Sequence, residues 1–144
     1  MLTTDQKGAV AEAKIATAAI ELGIGVSKPL SPLPYDLVFD LGRSVLRIQC
    51  KWAVLDGETV VVRCRRCRRG RQGLIQRRYD EGEVDAFAAY CQALERCFLV
   101  LVEELVARTT FMLRVAPTRN NQRALVNWAS AYDFSAKLEQ LAGP

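Results

Sequence analysis

The stretch RIQCKW, Arg47 to Trp52, decides the fold. Read with the period of two that a strand imposes, Ile48, Cys50 and Trp52 share one face, and Arg47, Gln49 and Lys51 share the other. The runs on either side, YDLVFDLGRSVL before it and ETVVVRC after it, are mostly apolar. A strand in that position is ordinarily apolar on both faces. A glutamine and a lysine two residues apart, pointing the same way, therefore need a reason.

Working outward, strands are expected near Asp36 to Leu41, Val45 to Ala53 and Thr59 to Cys64, joined by the turn signals LGRS and LDGE. This is an antiparallel meander. Ahead of it, the alanine-rich run from about Thr4 to Leu22 ends at Gly23 and predicts a helix. GIGVSK follows as a short strand, and PLSPLP as an extended connection, since each proline fixes its own φ and restrains its predecessor. On a helical wheel Ile15, Ala16, Ala19, Ile20 and Leu22 gather on one side, with Lys14, Thr17 and Glu21 opposite. Glu12 falls in the middle of the apolar side, where a carboxylate is costly unless something pairs with it. Beyond the meander, DEGEVDAFAAYC predicts a turn or short helix leading into a strand, and RCFLVLV and FMLRV predict two more strands. The tail from Asn121 to about Leu141 is expected to be helical, with Asn120 or Asn121 as its N-cap.

Residues 1–144 should form a single α/β domain: a mixed, mostly antiparallel sheet flanked by an N-terminal helix and C-terminal helices. Half of the 144 residues are hydrophobic, enough for a core. No apolar run approaches the roughly 18–20 residues that span a bilayer. MLTTDQKG lacks the profile of a signal peptide, so a soluble, cytoplasmic protein with no membrane partner is expected. Five cysteines without framework spacing fit free thiols better than disulfides. Histidine is absent, which excludes imidazole-based hydrolysis and zinc sites with histidine ligands.

Charge is unevenly placed. Eight of the 20 Lys and Arg and none of the 16 acids lie between Arg63 and Arg78, so the rest of the chain carries a net −4 against +4 for the whole. This basic loop, in the connection of a long ribbon, offers Arg63, Arg65, Arg66, Arg68, Arg69, Arg71, Arg77 and Arg78. A single-sign block repels itself unless it meets a polyanion, and the guanidinium fork suits phosphates and guanine edges better than a merely solubilising loop requires.

Glu12, Asp36, Gln49 and Lys51 need a joint explanation. Adjacent strands can bring Asp36 beside Gln49, and a helix packed on the sheet can deliver Glu12. Hard divalent cations, Mg²⁺ or Mn²⁺, take oxygen ligands. Asp36, the Gln49 amide oxygen and the Cys50 backbone carbonyl fit that need, while Glu12 either binds a second ion or orients a metal-bound water. Lys51 can position the attacking water and stabilise charge developing at phosphorus. Asp40 is read as a cap on its strand end at DLGR. Cys64 and Cys67 form a C-x₂-C, but Cys91 and Cys97 are wrongly spaced to complete a zinc site. In RNNQR, Arg119 to Arg123, helix capping by the asparagines is favoured over DNA contact.

The order Glu12, then Pro-x-Asp in PYD (Pro34 to Asp36), then Gln-x-Lys in QCK (Gln49 to Lys51) resembles the PD-(D/E)XK nucleases. More narrowly, KGAVAEAKIATAAIELG, YDLVFDLGRSVLRIQCKWA, YDEGEVDAFAAY and LRVAPTRNNQRALVNWASAYDF resemble the bacterial group I intron-associated branch of that superfamily, which includes homing endonucleases. The resemblance spans about Lys7 to Phe134. It implies a restriction-endonuclease-like core and an enzyme that hydrolyses phosphodiesters in double-stranded DNA. The implied site is catalytic at Glu12, Asp36, Gln49 and Lys51, with Asp36, Gln49, Cys50 and Glu12 toward the metal. A homo-oligomer, dimer or tetramer, is implied too, since one active site cuts one strand. Gln49 departs from the commoner Asp or Glu, a change this branch tolerates. Two rival expectations are a nuclease for branched or repair intermediates and an inactive DNA-binding module of the same fold.

Overall fold

Strand β3 (Val45–Asp56) is the spine of the sheet: β2, β4 and β7 pair with it directly and α1 packs across it. The computed structural model describes residues 1–70, 73–78, 82–105, 109–116 and 126–143, with the backbone alone for 65–70 and 73–78. Around β3 lie α1 (Thr4–Glu21), β1 (Gly25–Ser27), β2 (Leu37–Asp40), β4 (Thr59–Arg63), β5 (Arg65–Gly70), β6 (Gly73–Arg78), β7 (Ala86–Cys91), β8 (Arg96–Leu101), β9 (Thr110–Arg114) and α2 (Phe134–Ala142). Short 3₁₀ turns occupy Val102–Glu104 and Ala129–Tyr132.

The expected meander is present: β1, β2, β3, β4 and β9 pair antiparallel in that order. On its other edge β3 pairs in parallel with β7, from Ile48↔Ala86 to Ala53↔Cys91, and β8 completes the sheet beyond β7. The sheet is thus mixed and mostly antiparallel. Backbone pairing from Arg65↔Arg78 to Gly70↔Gly73 makes the arginine block a separate two-stranded ribbon, β5–β6. Arg63 is exposed at its base. Arg71 and the side chains of Arg65, Arg66, Arg68, Arg69, Arg77 and Arg78 lie outside the described residues.

Turn chemistry matches the sequence. Asp40 Oδ1 accepts the Gly42 N–H at 2.8 Å, the strand-end cap expected at DLGR, and Gly42 itself takes a φ of +92°. At the β3–β4 hairpin Gly57 takes a φ of +61° between the paired Asp56 and Thr59.

The sheet separates two apolar layers, and β7 feeds both, which explains why all six of its residues are buried. On one side Ile48, Ala86, Ala88 and Tyr90 meet Ala11, Ile15 and Ala19 of α1 and Phe134 and Leu138 of α2. On the other, Ala53, Val60, Val62, Phe87 and Val100 meet Phe111, Leu105 and Ala129. The helix begins with a capping box: the Gln6 N–H donates to Thr3 Oγ1 and the Thr3 N–H to Gln6 Oε1. Its buried stripe has i, i+4 spacing with two alanines, which lets the axis lie close to β3 and β7.

Two expectations are corrected. Ile20 and Leu22 are not on the buried stripe but 60% and 40% exposed, because Ile20 lies 100° beyond Ala19 and the helix ends before Leu22 can turn inward. The terminal helix starts at Phe134 rather than near Asn121, and its N-cap is Asp133, whose carboxylate accepts the Ala136 N–H. Upstream of it, the Asn127 carbonyl accepts the Arg114 N–H and Trp128 bridges to Arg114, so that segment pairs with β9 instead of coiling. Arg119, Asn120, Asn121, Gln122 and Arg123 lie outside the described residues.

The described cysteines, Cys50, Cys64, Cys91 and Cys97, are free thiols. Burial pushes the Cys64 thiol up to about 12, which makes it a poor source of a zinc thiolate. Among the described residues no helix is long and apolar enough to cross a membrane.

Candidate active site

Backbone direction along β3 defines an opening in the sheet. Ile48 turns its carbonyl to β2, accepting the Asp36 N–H at 2.8 Å, whereas Arg47 turns its own toward β7, accepting the Asp85 N–H at 2.9 Å. Even-numbered residues therefore address the β2 edge and odd-numbered ones the β7 edge. Pairing with β2 stops at Ile48, and pairing with β4 resumes only at Val54. Between them the edge of β3 around Cys50 has lost its neighbouring strand.

Asp36 sits at that opening. Its Oδ2 accepts the Cys50 N–H at 2.9 Å, so a carboxylate takes the place of the missing strand. The Cys50 carbonyl lies on the same edge as its N–H, since the two groups of a strand residue point the same way. Burial raises the Asp36 pKa; the Cys50 amide opposes that shift, the Glu12 carboxylate adds to it, and Lys51 and Lys28 oppose it. Those causes place one other carboxylate and two ammonium groups within electrostatic reach of the half-buried Asp36 carboxyl.

Glu12 arrives from α1, one turn before the buried Ile15, and keeps 26% of its side chain exposed. Its partner is Lys28, whose Nζ donates to Glu12 Oε1. That bond, with the Glu12 charge, holds the Lys28 ammonium above its ordinary pKa. Lys28 was absent from the residues expected at the site. The available signal was Lys28 standing directly before the proline strap with Glu12 unpaired on the apolar side of the helix.

Gln49 and Lys51 approach from the opposite face. Ile48, Cys50 and Trp52 belong to the layer under α1, with Ile48 fully buried, whereas Ala53 and Leu55, on the alternate parity, belong to the other layer. Gln49 and Lys51 share that second parity. The site therefore straddles the sheet edge, with Asp36 in the plane, Glu12 above and Gln49 and Lys51 below. Among the described residues the half-buried Gln49 amide has no hydrogen-bond partner. Arg47, grouped with them in sequence, turns to Asp85: its Nε and backbone N–H donate to Oδ2 at 3.0 and 2.8 Å, and Nη2 donates to Oδ1 at 3.0 Å. This locks β3 to the start of β7.

The strap from Pro29 to Leu33 borders an open depression of about 390 Å³ that reaches Lys28, Tyr35 and Asp36. A larger one, about 480 Å³, lies along Lys14, Tyr90 and Cys97 and touches none of the four expected catalytic residues.

A family model described as PD-(D/E)XK endonuclease matches the chain over residues 2–135, a span that contains Glu12, Asp36, Gln49 and Lys51. The chain belongs to the PD-(D/E)XK endonuclease family. Among solved structures, a bacterial homing endonuclease, I-Ssp6803I, is similar over 95% of this chain and 93% of its own, with a TM-score of 0.77 and 27% identity. The restriction-endonuclease-like core expected from the sequence is thereby established. No curated protein matches the chain.

The donors present suit the divalent ion that such nucleases use. The Asp36 carboxylate, the Gln49 amide oxygen and the Cys50 carbonyl are all oxygen donors, as a hard cation requires. Two acids are fewer than a self-sufficient carboxylate cage needs, and no cluster of three His, Cys, Asp or Glu occurs among the described residues. A substrate phosphate would have to supply the remaining anionic ligand.

Proposed function

We propose that this chain is a Mg²⁺- or Mn²⁺-dependent endonuclease of double-stranded DNA, site-specific in the manner of homing endonucleases and acting as a homo-oligomer. The observation that carries the reading is the Asp36 carboxylate, held by the Cys50 amide in a gap of the sheet with Glu12 and Lys51 within electrostatic reach.

Each residue has a distinct task in this reading. Asp36, the Gln49 amide oxygen and the Cys50 carbonyl would hold the ion, with Glu12 beside them. A bound cation would supply a Lewis acid for the phosphoryl oxygen and a more acidic water. Lys51, on the polar face of β3, stabilises the negative charge that grows on the phosphoryl oxygens during attack and orients the water. The Cys50 N–H keeps Asp36 in one rotamer, so the carboxylate is already in place when DNA arrives. The β5–β6 ribbon, dense in arginine, supports the DNA assignment: it would follow a groove, setting some guanidinium groups on phosphates and others on base edges. Two subunits, each with one site, account for a double-strand cut.

The test is a plasmid library incubated with the protein and Mg²⁺, with Lys51→Ala as control. Nicked and linear products that need Mg²⁺ and fall by roughly 10²–10³-fold in the control are expected. Binding without any product across the library would sink catalysis and leave a DNA-binding module of the same fold. Cutting of branched substrates in preference to linear ones would replace the homing reading with a repair-type one.

A further inference from the structure

Among the described residues, Lys28 stands at the opening with a charge the proposed chemistry does not use. It follows β1 directly, one step past the Ser27↔Val38 pair, which sets its backbone beside the start of β2 and thus beside Asp36. Pro29 follows and restrains that backbone. The side chain crosses to α1 and donates to Glu12 Oε1, joining two segments 16 residues apart. Its exposure is uneven: 65% of the Lys28 side chain is open to solvent, against 26% for Glu12. Glu12 is therefore fixed, while the ammonium stands on a flexible stem with water behind it.

The two carboxylates of the site, Glu12 and Asp36, repel one another when no cation lies between them. An ammonium on Glu12 relieves that repulsion, and Glu12 is also the acid the proposed function sets beside the metal. A lysine at this point occupies an oxygen that a divalent cation would use. The pair is weak enough to exchange, because a contact with one partner largely in water contributes little.

We propose that Lys28 is a built-in counter-ion of the metal site: it holds the Glu12 carboxylate in the free protein and yields it to a divalent cation. This rests on the nuclease reading and adds a regulatory element to it, a threshold of metal concentration set by an internal competitor.

The experiment measures Mn²⁺ binding to DNA-free protein by the loss of the free-ion electron paramagnetic resonance signal, at fixed ionic strength. Lys28→Met should bind Mn²⁺ roughly three- to fivefold more tightly than the unaltered protein, the range an exposed ion pair spans. Lys28→Arg, which restores the cation, should return to within about twofold of it. In a Glu12→Gln background, Lys28→Met should change the affinity by less than about twofold, since the contested oxygen is gone. Lys28→Gln serves as the second neutral variant should the methionine impair folding. Equal or weaker binding by both neutral variants, with Mn²⁺ binding of the unaltered protein still abolished by Asp36→Asn, overturns the proposal and leaves the nuclease reading standing. Absence of any Asp36-dependent Mn²⁺ binding overturns both.

Discussion

The Cys50 N–H donates to Asp36 Oδ2 at 2.9 Å across the point where β2 has ended. One bond thus does two things: it satisfies a strand amide that has lost its neighbour, and it fixes the acid most exposed to conflicting demands. Burial, the first cause, and Glu12 raise the Asp36 pKa above its usual value, so the ionised form is disfavoured in the folded protein.

Asp36→Asn should therefore abolish metal-dependent cleavage and yet raise the melting temperature in chelator at pH 7. The sign follows from linkage. An acid whose pKa is higher in the folded state binds protons better there, so the ionised side chain lowers stability at neutral pH, and that loss is recovered as pH falls through the folded pKa. Asparagine removes the charge and keeps an oxygen for the Cys50 amide. An increase of about 2–4 °C for each kcal/mol recovered is expected at this chain length. Thermal melts at pH 7 and pH 4 check it: the two proteins should differ at pH 7 and converge at pH 4. A lower melting temperature for the variant at pH 7 would mean that the charged hydrogen bond outweighs burial.

Asp85 behaves in the opposite sense. Hydrogen bonding from Arg47 is the main cause that lowers its pKa, against a smaller rise from burial. A depressed acid contributes stability above its unfolded pKa, near 3.9, and loses it as pH falls toward the folded value. Asp85→Ala should destabilise by about 1–2 kcal/mol at pH 7, with the lower end favoured by the 32% exposure of both side chains. Denaturant titrations at pH 7 and at pH 3 test this. The deficit should shrink at the lower pH, and a deficit independent of pH would assign it to lost packing instead of charge.

How much of this was legible in sequence depended on the range of the interaction. The two faces of RIQCKW follow from strand geometry alone, and Ile48 lies buried under α1 as the alternation requires. Asp40 at the strand end was equally readable, because its partner Gly42 is two residues away. Glu12 on the apolar side of a helix correctly signalled a partner, but Lys28 reaches it from the connection after β1, 16 residues away, and its place before the proline strap is only a faint local mark of the pair. The same holds for Arg47 and Asp85, 38 residues apart, so Arg47 passed as one more member of the polar face. A terminal helix beginning near Asn121 follows locally from the helix-like mixture of small and apolar residues in VNWASAYDF, while the bridge of Trp128 to Arg114 that holds Asn127 and Trp128 out of a helix is long-range. Local rules singled out the candidate residues; their counter-ions came only with the fold.

The arginine ribbon supplies a third test. If its guanidinium groups meet phosphates, each neutralised contact should flatten the plot of log affinity against log salt by about 0.9. Single Arg→Gln changes at Arg63, Arg66 and Arg68 should sort into two classes. Phosphate contacts weaken all sequences alike and lower the slope, whereas a base contact costs about 1–3 kcal/mol on the preferred site and little elsewhere. Fluorescence anisotropy at several salt concentrations separates them. Unchanged slopes for all three would remove the ribbon from the DNA interface.

Gln49 puts the site's charge balance to the test. With Asp36 and Glu12 as acids and Lys28 and Lys51 as nearby cations, the free site carries no net charge to attract an ion. Gln49→Glu adds a carboxylate on a side chain that has no hydrogen-bond partner among the described residues, so it need break nothing to reach a metal. Even at solvent-like screening, a unit charge about 4 Å from another is worth about 1 kcal/mol, and a divalent ion doubles it. Mn²⁺ binding in the absence of DNA should therefore tighten by roughly tenfold or more, and cleavage should saturate at correspondingly lower Mg²⁺. The gain should be smaller with DNA bound, because the phosphate already fills part of the deficit. Titrations of metal against the free protein and the DNA complex measure both. Equal metal affinity for the glutamine and glutamate forms would show that residue 49 does not ligate the ion, and would assign the polar face of RIQCKW to Lys51 alone.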